Sequence, residues 1–302
     1  MNCSRSRLLT ITVASALAGS VLLSAQGPLT LNASHEARAL APGEIVRLSV
    51  QTSQPVKTIS GTAFGRPIQF VSDPAGTAWD GLVAIDVETD PGQYVVALTA
   101  ATASGTGSKL SYPLQVHSKA FETRRLRVDP RFVDPPKEEI ARIQAETALQ
   151  AKVFAVLTPE RLWTGPFVRP VEGASTGRYG ELSVFNGEPR SRHRGTDFRA
   201  ALGTPVRAPA RGRVALGRDL YFSGGSVILD HGQGLFSHLA HLSRIDVEEG
   251  TIVEAGQVVG LAGATGRVTG PHLHWSARLG SASIDPTSLL EVLGPEPPAI
   301  SH

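Results

Sequence analysis

Ser191-Arg-His-Arg-Gly-Thr-Asp197 and Gly270-Pro-His-Leu-His-Trp275 place three histidines and a carboxylate in two short runs of a 302-residue chain. Imidazole nitrogens and carboxylate oxygens suit a borderline-soft divalent ion such as zinc, and two His plus one carboxylate leave a fourth tetrahedral position open, as catalytic sites require. Side chains alternate between faces along an extended strand. The spacings from His193 to Asp197 and from His272 to His274 are both even, so each puts both groups of its pair on one face, and either pair can converge on a single ion.

The flanks of these two runs carry more. Phe185-Asn186-Gly187, His193-Arg-Gly-Thr-Asp197, Gly203-Thr-Pro-Val206, Ala208-Pro209 and Gly212-Arg-Val214 are followed by Asp230-His-Gly232, His241-Leu-Ser243, Gly250 and Gly256-Gln257. Gly263-Ala-Thr-Gly266, Gly270-Pro-His-Leu-His-Trp275 and Asp285-Pro286 complete the series. In order and spacing, residues 182 to 290 resemble the LytM/lysostaphin-type zinc endopeptidases, which cut peptide bonds in bacterial cell walls. The resemblance implies one Zn2+ per chain with His193, Asp197 and His274 as ligands. It also implies His241 and His272 as catalytic histidines that do not bind the metal.

Amide hydrolysis requires an activated water, stabilisation of a developing oxyanion and a proton for the leaving nitrogen. No His-Glu-x-x-His helix offers a glutamate base, so imidazoles beside the metal are the acid and base groups at hand. The division of roles between His241 and His272 stays open. The pattern departs from the family at Leu239-Ala-His241, where relatives commonly carry Tyr two residues before the histidine.

Other candidates are weaker. His238 lies an odd three positions from His241, so on a regular strand the two point to opposite faces. His231 opens a hairpin turn, His231-Gly-Gln-Gly234. Both are expected outside the site. Gly195, between two ligands, leaves room for a substrate backbone near the metal, and Asn186 is a candidate for orienting substrate or water. Arg190, Arg192 and Arg194 read as solvated charges, with a substrate carboxylate as the alternative use. Gly263-Ala-Thr-Gly266-Arg-Val-Thr-Gly270 lacks the following helix and lysine of a phosphate loop.

The rest of the chain frames this region. Arg5 and Arg7, an apolar run from Leu8 to Leu23 and Ser24-Ala25 read as an export signal cleaved near Gln26, with an uncleaved single membrane anchor as the alternative. The formal charge of +2 falls to neutrality without that leader. No bulk attraction for nucleic acid is therefore expected, nor stable membrane insertion after signal cleavage. The single cysteine, Cys3, lies in the leader, so the mature chain holds neither a disulfide nor a Cys-zinc site.

The 31 Gly and 21 Pro favour turns and strands, and the fold class is read as mainly β. Residues 1–25 are the signal peptide and 26–120 an N-terminal β-sandwich-like domain, from alternating runs such as Ile45–Val50 and Gln93–Thr99. Residues 121–160 are a linker with a helix over Lys137–Phe154, opened by Pro135-Pro136. Residues 161–302 are the domain that the resemblance identifies as an antiparallel zinc endopeptidase. No catalytic cluster is read before residue 160. The implied protein is an exported peptidase of the periplasm or extracellular envelope acting on peptidoglycan peptides. The alternative is a catalytically silent wall-binding or amidase-activating relative, which typically loses ligands.

Overall fold

A computed structural model describes residues 27–295; the expected export signal lies outside them. The chain is mainly β, as read from its sequence. The first strands are β1 (Leu31–Glu36), β2 (Ile45–Thr52), β3 (Thr58–Ala63), β4 (Arg66–Ile68), β5 (Phe70–Ser72), β6 (Ala78–Ala84), β7 (Gly92–Ala101) and β8 (Gly107–Val116). They form two four-stranded sheets, ordered β1-β2-β6-β5 and β4-β3-β7-β8. Alternation along β2 sends Val46, Leu48 and Val50 inward against Val96, Leu98, Leu114 and Val116 of the facing sheet.

The next segment holds β9 (Thr123–Leu126) and α1 (Lys137–Phe154). The helix begins after Pro136 with Glu138 and Glu139 in its first turn and Lys152 in its last, charges that suit the helix dipole. Leu149, Val153 and Phe154 dock on Leu216, Leu220, Ile228 and Phe236 of the following domain.

That domain contains β10 (Ser175–Gly177), β11 (Leu182–Phe185), β12 (Glu188–Arg192), β13 (Thr196–Arg199), β14 (Pro205–Arg207), β15 (Gly212–Leu220) and β16 (Gly224–Asp230). It continues with β17 (Leu235–Ile245), β18 (Ile252–Val253), β19 (Val258–Ala262), β20 (His272–Leu279), β21 (Ala282–Ile284) and the short helix α2 (Pro286–Val292). The main sheet runs β10-β13-β20-β17-β16-β15-β18, with β19 joined to β14 and β17. A smaller sheet, β12-β11-β9, takes its third strand from the segment before α1, and β9 pairs parallel to β11.

The domains share apolar and ionic contacts. Ile45, Leu82 and Ala84 of the sandwich pack into the same core as Trp275, Ile284 and Leu289. Glu44, 1% exposed, receives Arg38 at 2.8 Å and Lys119 at 2.7 Å, and Arg38 also reaches Asp285 at 2.8 Å. Asp285 caps α2 by accepting from the Thr287 amide.

His231 occupies the turn expected of it. Its Nδ1–H donates to the Arg211 carbonyl at 3.0 Å, which leaves Nε2 to accept from the Ser237 hydroxyl at 2.9 Å. Complete burial pushes its pKa down to about 4. In the unfolded chain the group returns toward 6.5 and binds a proton that the folded state refuses. Its contribution is therefore full above about pH 6.5 and is lost as pH falls toward 4, by about 3 kcal/mol in all. In EDTA, His231→Gln should show a shallower loss of denaturation midpoint between pH 7 and 4.5 than the parent chain. Parallel slopes would remove His231 as the cause.

Candidate metal centre and catalytic cleft

Strand pairing assembles the site from distant parts of the chain. Asp197 on β13 lies directly opposite His274 on β20, and Ala240 on β17 lies opposite His274 on its other side. His193 sits in the connection between β12 and β13, its amide donating to the Glu181 carbonyl at 2.8 Å. The His193 Nε2, Asp197 Oδ1 and His274 Nδ1 atoms come within 3.0 to 3.1 Å of one another. Ligand bonds of 2.0 to 2.1 Å in a tetrahedral zinc site put neighbouring donors about 3.3 Å apart, so this trio fits such an ion after a small outward adjustment. Its chemistry fits as well. Burial works to raise the Asp197 pKa, but hydrogen bonds from His193 and His274 outweigh it and hold the carboxyl well below its ordinary range, ionised.

Each ring has a reason for its orientation. The His193 Nδ1–H donates to the Arg178 carbonyl at 2.9 Å, which turns Nε2 to the trio; there the protonated ring donates to Asp197 and the neutral ring offers a lone pair to an ion. A carbonyl only accepts, so the same logic fixes two more tautomers. The His241 Nδ1–H donates to the Thr265 carbonyl at 2.9 Å and the His272 Nδ1–H to the Gly270 carbonyl at 2.8 Å. Their Nε2 atoms remain as proton acceptors. His272 Nε2 stands 3.6 Å from Asp197 Oδ1, and the His241 and His272 rings are 4.9 Å apart. Burial, with His274 and His272 nearby, lowers the His241 pKa well below its ordinary value. A cleft of about 320 Å³ is lined by all five residues.

His241 reaches this cleft through an irregularity. Its φ is 66°, a left-handed conformation, and the β16–β17 register shifts nearby, between Gly225 and Val227. This kink lets His238 and His241 both line the cleft, and the expectation that they face opposite sides fails for that reason. A non-glycine residue held left-handed costs energy and persists only where its surroundings enforce it. Here the His241 amide donates to the Ser223 carbonyl at 2.8 Å while its ring is held by Thr265.

Gly195 is buried, but the space beside it belongs to the His274 ring. A Cβ there would meet His274 Cε1 and Nε2 at 2.5 Å. The missing Cβ lets the His274 ring pack closely there, a use of this glycine other than the expected room for a substrate backbone. Asn186 does not itself line the cleft, but its neighbour Phe185 and its partner Val128 do. At the β11–β12 turn its side chain accepts from the Val128 amide at 3.1 Å and donates to the Val128 carbonyl at 3.0 Å. Arg192 and Arg194 line the cleft and approach Glu88 at 3.5 and 3.9 Å; the Arg190 side chain is outside the described residues. A larger cavity of about 650 Å³, between the sandwich, α1 and the turn at Gly280, contains none of the histidines.

Sequence reasoning missed Arg124. It lies on β9, in the stretch read as a linker, and its guanidinium donates to Asp197 Oδ2 at 2.9 Å with Glu181 at 4.0 Å. This contact holds one carboxylate oxygen and leaves the other facing His193 and His274. Thr123-Arg-Arg-Leu126 gives no sequence signal for it beyond a short polar alternation. Arg124→Gln should weaken zinc binding about tenfold in calorimetric titration, because outer partners orient ligands. Tighter binding would show that repulsion between the guanidinium and the metal outweighs orientation.

The model for peptidase family M23 matches residues 191–286. Among curated relatives, the peptidoglycan DD-endopeptidase ShyA of Vibrio cholerae is 46% identical over 83 residues, covering 28% of this chain and 19% of that protein. The DD-carboxypeptidase/endopeptidase Mpg of Neisseria meningitidis is 41% identical over 97 residues, 32% of this chain and 22% of its own. The matches thus span about a fifth of the length of these relatives. A crystal structure from Pseudomonas aeruginosa described as a peptidase M23 extends much further. It is 31% identical, covers 85% of this chain and 97% of its own, and superposes with a TM-score of 0.65. The likeness thus reaches beyond the metal-site strands to most of the described fold, and the chain belongs to peptidase family M23.

Proposed function

We propose that this chain is an exported zinc metalloendopeptidase that hydrolyses peptide bonds in peptidoglycan stem peptides or cross-bridges. The observation that carries the reading is the convergence of His193, Asp197 and His274 donor atoms beside two histidines whose Nε2 atoms are free to take a proton. Zinc held by those three residues supplies a Lewis acid with one position left open, the chemistry that activates water near neutral pH.

The chain's own residues do the rest. His241 and His272, with Nδ1–H anchored on backbone carbonyls, accept a proton at Nε2 and return it to the departing amide nitrogen. Lowering of the His241 pKa keeps that ring neutral before reaction and makes its protonated form a stronger acid. A protonated imidazole in a buried cleft also stabilises negative charge developing on the attacked carbonyl. The two rings share these roles, with His272 the nearer to Asp197. Arg124 and the backbone partners of the imidazoles hold the groups in place.

The curated relatives' names support wall peptides as the substrate, and the N-terminal basic, apolar and small-residue sequence supports export. A silent wall-binding or amidase-activating role is the weaker reading, since all five side chains are present and assembled.

Digestion of purified peptidoglycan, with released fragments identified by mass spectrometry, tests the activity and the bond cut. His193→Ala, Asp197→Ala and His274→Ala should each lose most metal and activity. His241→Ala and His272→Ala should keep about one zinc per chain and lose turnover by roughly 10²-fold to 10⁴-fold, the range of general acid–base groups. A zinc-loaded parent chain that releases no wall fragments would defeat the hydrolytic reading, and stoichiometric zinc in His274→Ala would defeat the ligand assignment.

A further inference from the structure

His238 is a titratable cleft residue that the proposed chemistry does not use. It is 9% exposed, lines the same cleft as the five site residues, and its Nε2 is buried with no hydrogen-bond partner among the described residues. On β17 it lies opposite Ser276, two residues from the Ala240 position that faces His274. Alternation therefore puts it on the same sheet face as His274, about 7 Å further along the strand direction. This separation is about two residues of an extended peptide.

A buried polar atom without a partner is costly, and an apolar side chain of similar volume would fill the position at less cost. The unmet capacity is therefore informative where it borders a cleft. Burial pushes the His238 pKa down to about 3, so the ring is neutral under physiological conditions. A neutral imidazole nitrogen offers either one N–H or one lone pair. Peptide groups carry both a donor and an acceptor and so match either tautomer.

We propose that His238 is a substrate-contacting residue whose Nε2 hydrogen-bonds a backbone peptide group of the bound peptide, about two residues from the bond being cut. The identity of that ligand rests on the hydrolytic reading above. The kinked backbone at His241 gives the contact its place, because it admits a histidine for chemistry and a histidine for binding to one cleft from a single strand.

The experiment uses the full zinc-loaded chain, His238→Leu and His238→Gln, with soluble cross-linked peptides released from peptidoglycan as the probe. His238→Leu should keep zinc and an unchanged or higher denaturation midpoint. Its KM should rise about tenfold with little change in kcat, and Gln should restore most of the loss. A lowered midpoint with unchanged KM would assign His238 a structural role and overturn the proposal.

Imidazole nitrogen NMR on the labelled parent chain gives a second readout independent of either variant's folding. Addition of the peptide should move the His238 Nε2 resonance, and an unmoved resonance under saturating peptide overturns the contact. A parent chain that cleaves the peptide while His238 stays unmoved leaves hydrolysis standing and removes this contact. A chain whose His238 resonance moves but which cleaves nothing keeps the contact and removes hydrolysis.

Discussion

The site depends on one buried carboxylate. Asp197, 7% exposed, meets His193 and His274 at one oxygen and Arg124 at the other. A carboxylate taken out of water is strongly destabilising without such partners. Because β13 and β20 pair in the register that sets Asp197 opposite His274, sheet formation and site formation are a single event. A one-residue slip of β13 would turn Asp197 to the other face of the sheet while His274, held by β17 as well, stayed on the cleft side. The Asp197–His274 pair therefore draws its geometry from ladder hydrogen bonds along whole strands.

The register rule explains part of the site and fails instructively elsewhere. His272 and His274 share a face of β20 as even spacing requires, with Leu273 and Trp275 turned into the core. The His193 and Asp197 pair meets for a different reason. His193 precedes β13, and its place is set by the Glu181 carbonyl and Arg178 rather than by strand alternation. At His241 the periodicity breaks outright. A left-handed φ on a histidine carries no signature in a single sequence, since glycine is the residue that announces such a position. The strain becomes legible only once Ser223 and Thr265 are seen to hold it.

Much of the architecture was legible for ordinary reasons. Period-two runs separated by Gly and Pro mark the sandwich, and Pro135-Pro136 followed by an apolar stripe marks α1, which spans the expected Lys137–Phe154. The ordered motifs from His193 to Asp285 mark the stretch that matches peptidase family M23, residues 191–286. Arg124 was not legible because a four-residue strand that pairs in parallel with β11, far along the chain, leaves no local trace. Its meaning depends on tertiary neighbours. The same holds for Ile45, Leu82 and Ala84, apolar strand residues that pack into the core of the following domain.

Those long-range contacts alter what the sandwich is for. Lys119 reaches Glu44 on the sandwich and lies only a few residues before β9, so the strand carrying Arg124 is tethered to the sandwich at its start. Arg38 joins the same Glu44 to Asp285, the cap of α2, and Tyr179 packs against Gly43 while donating its hydroxyl to the Ser283 carbonyl at 2.8 Å. Arg38 and Lys119 thus meet at one buried acid, and Arg38 carries the link on to Asp285. Separating the sandwich from the peptidase sheet would break the Arg38 link and draw on Lys119. The displacement would act on β9 and hence on the Arg124 grip on Asp197. The N-terminal strands are thus linked through side-chain contacts to Asp197, and this is a stronger coupling than a domain on a flexible linker provides.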